Sequence, residues 1–186
     1  MNSVHRWWEK RPEECFWLGV TTAAIPNALA APRVDGQRLR CELPSLISHI
    51  RAGDVVFHYD KELQAITGRS VAAGAVRRSG SVWSRPPVPW GAPEAPPEWV
   101  PSLVLPLGPT ITFEPAVTLA EIARAQWTLF PVLRDFEDQV GEPLYYPFAI
   151  DGPERAHLQS GHVFKLPRAF VDAIPALRGS EVLSVA

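Results

Sequence analysis

The chain has 186 residues, of which 46% are apolar and 20% are charged, a balance that is usual for a soluble protein with one core. We therefore expect a single domain over 1–186 and no second full domain. Eighteen basic and twenty acidic residues leave a formal net charge of -2, which excludes a bulk polycation that coats nucleic acid by charge alone. Any contact with nucleic acid would have to be local.

Cysteine usage and hydropathy argue against a metal-binding, disulfide-rich, secreted or membrane-spanning protein. Cys15 and Cys41 have no histidine or cysteine partner at metal-ligand spacing, which argues against a zinc site and a disulfide scaffold. The N-terminus lacks the apolar run of a signal peptide, and no stretch approaches about 18 consecutive apolar residues. We therefore expect a cytoplasmic protein with no metal, no cofactor and no membrane contact.

The predicted elements begin with a strand at 16–22, where the sequence FWLGVTT is aromatic and β-branched. Pro26 predicts one turn of helix over 25–31, because proline suits the first position of a helix.

A hairpin is the clearest predicted unit. A short apolar, helix-like piece leads through the turn sequence at 52–54 into a strand at 55–59. After a polar turn, residues 63–72 are its antiparallel partner, with Gly68 at a bulge or a close approach.

The proline-rich segment at 79–109 contains three tryptophans, which favours an ordered insert over a flexible linker. Its end predicts a strand at 102–107. Thr118 and Glu121 form a capping box that opens a helix over 117–130.

Strands at 143–150 and 163–166 follow, and Pro167 opens a closing helix. Because the strands are short and outnumber the helices, the sequence predicts a mixed α+β fold. A small curved β-barrel with flanking helices fits this pattern better than a doubly wound sheet.

Short catalytic signatures are absent. The sequence has no nucleophile elbow, phosphate-binding loop, dinucleotide fingerprint or zinc-protease motif, so we do not expect an enzyme. His58 is the one histidine within a convincing predicted strand. It is either a core histidine with a hydrogen-bond partner or a residue of a pocket.

Tryptophan is the more informative residue type. Trp17 in the first strand and Trp83 after the hairpin could face one another across a barrel mouth and grip a flat ring by stacking. The alternative is that both are core residues. We interpret Trp7 and Trp8 as a clasp over the barrel end and Trp127 as helix core.

Basic residues occur in short groups. Arg77 and Arg78 stand before Ser79, Gly80 and Ser81 and near Trp83, a combination of guanidinium groups and backbone donors suited to a phosphate beside an aromatic pocket. We include four further basic residues as candidate contacts to a nucleic-acid backbone: Arg33, Arg85, Arg155 and Lys165.

The order of these segments resembles the PUA-like superfamily, in particular its EVE and YTH branches. The similar segments are FWLGVTTAAIPNALAAP, LISHIRAGDVVFHYDKELQAITGRSVAAG, SVWSRP and LQSGHVFKLPRAFVDAI, and the strongest part is GDVVFHY followed by AITGRSV. The sequence lacks the lysine-rich N-terminal motif and the asparagine-rich turn of EVE domains, and its long Pro/Trp insert departs from YTH domains.

The resemblance implies a β-barrel flanked by helices that binds nucleic acid and inserts a modified base into an aromatic cage. By position, Trp17 and Trp83 would be the cage tryptophans, and Thr21 and Thr22 would lie near the base edge. The resemblance also assigns the polar segment before the last helix to the phosphate backbone, with Arg155 and Gln159. We add three neighbouring residues to the candidate pocket: His58, Tyr59 and Asp60.

We therefore expect a reader of a modified base in DNA that flips the base without chemistry of its own. It would be the specificity module of a modification-dependent restriction system, with a nuclease or a GTPase/ATPase domain in the same or a partner chain. One alternative is an RNA-binding PUA-like module. Another is a small hydrolase or nucleotide-modifying enzyme that uses His58, Tyr59 and Asp60.

Overall fold

The computed structural model describes residues 6–21, 27–32, 43–83, 98–141, 144–152, 155–159 and 161–178. Ten strands, a 3₁₀ helix and three α-helices are defined within these residues. In chain order they are β1 (Phe16–Thr21), β2 (Ala28–Pro32), the 3₁₀ helix (Leu43–His49), β3 (Val55–Asp60), β4 (Ala65–Val71), β5 (Arg77–Trp83), β6 (Glu98–Pro106), β7 (Ile111–Thr118), α1 (Leu119–Val140), β8 (Phe148–Gly152), β9 (Arg155–Leu158), β10 (Val163–Leu166), α2 (Arg168–Ala173) and α3 (Pro175–Arg178).

The main sheet has five strands in the order β10-β1-β3-β4-β7. The predicted hairpin is confirmed, because β3 and β4 pair antiparallel, and β1 joins the same sheet parallel to β3. His58 pairs with Gly68 and Tyr59 with Ile66, so Thr67 is the extra residue of a bulge beside the glycine. The bulge expected at Gly68 is therefore present.

A smaller sheet of three strands has the order β2-β6-β5 and corrects two sequence-based expectations. Residues 28–32 form a strand, so the predicted turn of helix over 25–31 is wrong there. Leu29 and Ala31 alternate inward and are buried, and pairing with β6 outweighs the local preference set by Pro26. Residues 79–83, expected as the loop at the start of the ordered insert, belong to the strand β5, whereas the strand expected at 102–107 is confirmed as part of β6.

The main sheet is covered on both faces. On β3, Phe57 and Tyr59 belong to a core that α1 and α2 complete, whereas Val56 faces a second core formed with the small sheet and the 3₁₀ helix. The expected mixed α+β fold is confirmed. The described strands form sheets of five, three and two strands, and these do not close into a barrel.

Helix α1 is longer than expected. Thr118 and Glu121 form the predicted capping box, and Gly141 ends the helix in the left-handed conformation after it has passed through Pro131. Trp127 is 57% exposed, so its expected place in the helix core is wrong. The side of α1 that packs against the sheet is instead marked by Ile122 and Leu129.

The C-terminal elements follow the prediction in part. The strand expected over 143–150 begins only at Phe148, as β8, and it pairs with β9. The strand at 163–166 is confirmed as β10, and Pro167 is the N-cap of α2. No helix among the described residues is long and apolar enough to cross a membrane.

Candidate nucleic-acid interface

A groove of about 750 Å³ lies where the turn before β3 meets the β4–β5 connection and the small sheet. Its volume is within the range of ligand sites. The groove is lined by Ser48, Ile50, Arg51, Ala52, Ala75, Val76, Arg78 and Leu103.

Arg51 is positioned by the tight turn that follows the 3₁₀ helix. Ile50 is buried, which anchors one side of the turn, and Gly53 adopts a positive φ of 92°. The Asp54 carboxylate accepts the backbone N–H of Arg51 at 3.0 Å. The backbone of Arg51 is therefore held in place, while its side chain is exposed.

Arg78 is positioned by the small sheet. It pairs with Leu103 of β6, and both residues line the groove. Because side chains alternate along a strand, the neighbouring Arg77 lies on the other face of β5 and is not a groove residue. Arg77 and Arg78, which the sequence analysis predicts as one phosphate site, therefore lie on opposite faces of β5.

The groove favours an anion. Among the described residues of its wall there is no carboxylate, and neither Arg51 nor Arg78 has an ion-pair partner in the described part of the chain. Ile50, Val76 and Leu103 provide an apolar floor for the arginine stems. Two exposed guanidinium groups over such a floor suit a phosphate or a phosphodiester backbone.

Trp17 does not form an open aromatic wall. The residue is 1% exposed, and its indole N–H donates to the Asp54 carboxylate at 2.7 Å. The Lys165 ammonium lies 4.4 Å from the centre of the indole ring, and Trp8 packs edge-on at 5.5 Å. A base has no free face of this ring on which to stack, so the structure places Trp17 in the core.

Lys165, expected at a phosphate, is also in the interior, with 2% exposure. Its ammonium donates to the backbone carbonyls of Glu14 at 2.5 Å and Phe16 at 3.0 Å. Burial lowers the pKa of Lys165 to about 8, although the carboxylates of Glu14 and Asp54 oppose this shift. Because the Lys165 ammonium is buried and hydrogen-bonded to these carbonyls, it cannot contact a phosphate of a nucleic-acid backbone.

His58 is on β3, on the face opposite that of Phe57 and Tyr59, and is fully buried. Its Nε2 is 2.9 Å from the Ser70 hydroxyl, which lies 3.0 Å from the hydroxyl of Thr110. Nδ1 of His58 has no hydrogen-bond partner among the described residues. Burial lowers the pKa of His58 to about 4, so the ring is neutral at pH 7. The structure thus places this histidine in the core.

Tyr59 and Asp60 do not converge with His58 on a cleft. Tyr59 points to the opposite face of β3, where it meets Phe148, and burial raises the pKa of its hydroxyl. The Asp60 carboxylate accepts backbone N–H groups of Glu62 and Leu63 and so closes the hairpin turn. The arrangement that a hydrolase would need from these three residues is not assembled.

The other candidates are dispersed. Thr21 is partly buried at the end of β1, and the backbone N–H of Gln159 donates to Pro147. The backbones of Trp83 and Arg155 belong to β5 and β9, and their side chains are not described. The remaining candidates lie outside the described residues: Thr22, Arg33 and Arg85.

Arg51 is the functional candidate that the sequence analysis missed. Its local signal is a basic residue next to a turn that is fixed by glycine and aspartate, which by itself does not indicate a ligand. Only the packing of this turn against β5 and β6 brings Arg51 and Arg78 to one groove. A scan against protein-family models and a search of curated proteins both return no match for the chain.

Proposed function

We propose that this chain is a DNA-binding module that reads a modified base by flipping it out of the duplex. The observation that carries the proposal is the groove with two guanidinium groups, Arg51 and Arg78, which have no ion-pair partner among the described residues and lie over an apolar floor. Phosphate contacts of this kind fix the register of a protein on a duplex without carrying sequence information. A reader needs such contacts and, in addition, a stacking surface for the flipped base.

Strand β5 connects the groove to a candidate stacking residue. Trp83 lies five residues after Arg78 on this strand, which corresponds to about 17 Å at the rise of an extended chain. Position 83 is an odd number of residues from Arg78 and therefore alternates to the face of Arg77, so we propose that the flipped base passes around the end of the edge strand β5 to reach Trp83. Base stacking on an aromatic ring contributes about 1–3 kcal/mol, which offsets the few kcal/mol that unstacking costs.

The proposed module has no chemistry of its own. The three residues that a hydrolase would use do not meet, and His58 is closed off from solvent. We therefore propose that a nuclease or a GTPase/ATPase domain, in the same or a partner chain, acts on the DNA that the module selects. Binding at a modified base would be the signal that this domain receives.

A pair of neighbouring arginines provides a matched test of the groove. Arg78→Ala should weaken binding to modified and unmodified duplexes by similar factors, because it removes a phosphate contact. Arg77→Ala removes the same charge from the other face of β5 and should have a clearly smaller effect. Fluorescence anisotropy with labelled duplexes measures both, and equal losses for the two variants would show that the groove is not the binding surface.

A panel of duplexes tests the reading of a base. The duplexes are unmodified or carry 5-methylcytosine, 5-hydroxymethylcytosine, N6-methyladenine or a phosphorothioate, and single-stranded and duplex RNA form a further arm. We expect one modified DNA to bind more tightly than the unmodified duplex. Trp83→Ala should remove that preference. Equal affinity for all duplexes contradicts a reader, and tighter binding of RNA favours the RNA-binding alternative.

A further inference from the structure

The outer face of α1 carries a stripe of aromatic and charged side chains that no described element covers. Trp127 is 57% exposed and Phe130 beside it is 46% exposed, with their ring centres 6.1 Å apart. The other members of the stripe are exposed as well and are spaced three or four residues apart on one side of the helix: Arg124, Pro131, Arg134 and Asp138.

Such a stripe is unusual for a helix that faces solvent. The outer face of a surface helix is normally polar, and exposed aromatic patches commonly mark interaction sites. Tryptophan and arginine are also the residues that dominate binding energy at protein interfaces. The stripe therefore has the composition of an interface, and its charge pattern indicates the partner.

The charges of the stripe are complementary to the same stripe in a second copy. Arg124 lies seven residues before Pro131 and Asp138 lies seven residues after it, so each is about 10.5 Å along the helix from the proline. An antiparallel pair of helices that crosses at Pro131 would place Arg124 of each copy beside Asp138 of the other. Trp127 would lie within one residue step of Arg134 in the second copy.

We propose that two copies of this chain associate through α1 around a two-fold axis at Pro131. The aromatic rings form the centre of the interface, and an Arg124–Asp138 pair closes each end. Such an isologous contact uses one patch twice, and it closes without leaving the patch free to recruit a third copy. The guanidinium of Arg134 on the Trp127 ring would add a cation–π contact in the centre.

A purely acidic partner would bring like charge next to Asp138 and a purely basic one next to Arg124 and Arg134, whereas the antiparallel second copy sets Arg124 beside Asp138 at both ends. The proposal does not depend on the proposed function. The stripe is on the outer face of α1, and no residue of α1 lines the groove. Pairing through the stripe therefore uses no groove residue.

Sedimentation velocity of the full chain over a range of concentrations tests the pairing. We expect a monomer–dimer equilibrium, and Trp127→Ala should weaken it at least about tenfold, as truncation of a central aromatic residue does at protein interfaces. Arg124→Asp and Asp138→Arg should each weaken the dimer, because each places two like charges together at both ends. The double variant restores opposite charges and should recover the association of the wild type.

Several outcomes would overturn the proposal. A monomer at every concentration, or a dimer that Trp127→Ala leaves intact, rules out the stripe as the interface. Failure of the double charge reversal to recover association rules out the antiparallel register at Pro131. Leu63→Ser is the matched control, since Leu63 is 67% exposed in the β3–β4 turn and should not affect the dimer. Thermal unfolding of each variant establishes that it is folded.

Discussion

Trp17 and Lys165 are register partners on β1 and β10, and this pairing determines what the two side chains do. The sequence analysis predicts Trp17 as a wall of the aromatic cage and Lys165 as a contact to a phosphate. In the fold, the Lys165 ammonium lies over the Trp17 indole ring and donates hydrogen bonds to two backbone carbonyls. The indole N–H of Trp17 donates to the Asp54 carboxylate. The same Asp54 carboxylate accepts the backbone N–H of Arg51, so the contacts of Trp17 and Lys165 help to fix the turn that carries Arg51 at the groove.

Replacement of Trp17 by phenylalanine tests this structural role. Trp17→Phe removes the indole N–H and leaves the partly buried Asp54 carboxylate without one of its donors. We expect a loss of about 1–3 kcal/mol in the free energy of unfolding, the usual cost of an unsatisfied buried polar group. Urea denaturation measures this loss, and the folded variant should still distinguish modified from unmodified DNA. Unchanged stability together with a selective loss of modified-DNA binding would return Trp17 to the base pocket.

His58 predicts a specific dependence of stability on pH. Its pKa is about 4 in the folded chain and 6.5 when unperturbed, so between these values the unfolded state binds more protons. Stability should therefore fall as the pH is lowered through this window, by about 3 kcal/mol from this residue. Above pH 7 the histidine is neutral in both states and contributes no pH dependence.

The measurement compares the wild type with His58→Gln, whose amide can keep a hydrogen bond to Ser70 but does not titrate. The difference between their free energies of unfolding should be constant above pH 7 and shift in favour of the variant below about pH 6.5. Burial also lowers the pKa of His162, which lies near Lys61, but both proteins contain His162 and its effect cancels. Parallel curves down to pH 4 would contradict the assignment of His58 to the core.

At the level of elements, the sequence predicts those with a strong local pattern. β1, the β3–β4 hairpin and the start of α1 have aromatic or β-branched runs, turn residues or a capping box. β5 and β7 do not, because Gly80 and Pro115 resemble loop residues. Both strands lie at the edge of a sheet, where missing side chains and missing donors are tolerated.

The capping box gives an element-scale prediction. The Thr118 hydroxyl accepts the backbone N–H of Glu121, and the Glu121 carboxylate accepts the backbone N–H of Thr118. Thr118→Ala should therefore lower the free energy of unfolding by about 1 kcal/mol. Thr118→Ser keeps the hydroxyl and should retain most of the stabilisation that the cap provides. Thermal unfolding of the two variants checks this. Equal losses in both would show that the methyl group of Thr118, and not its hydroxyl, stabilises the helix start.

At the level of the whole molecule, the candidate interface exists only because distant segments pack together. Arg51 precedes β3, whereas Arg78 is on an edge strand of the other sheet, and the residues between them contain no motif that links the two. Arg78 can be predicted as a candidate from its neighbours Arg77 and Ser79, whereas Arg51 cannot, since the packing of the two sheets has no local signature. Trp17 and Lys165 are expected at the site from the sequence because residue type does not reveal burial.

The central claim is that the groove holds a phosphodiester backbone through Arg51 and Arg78. The most direct measurement is the dependence of the dissociation constant for duplex DNA on salt concentration, for the wild type and for the variant Arg51→Ala/Arg78→Ala. Each lost phosphate contact should make the slope of log K against log salt shallower by about 0.9, so the double variant should lose about 1.8. Arg77→Ala serves as the control on the opposite face of β5. A double variant with the slope and affinity of the wild type would contradict the account.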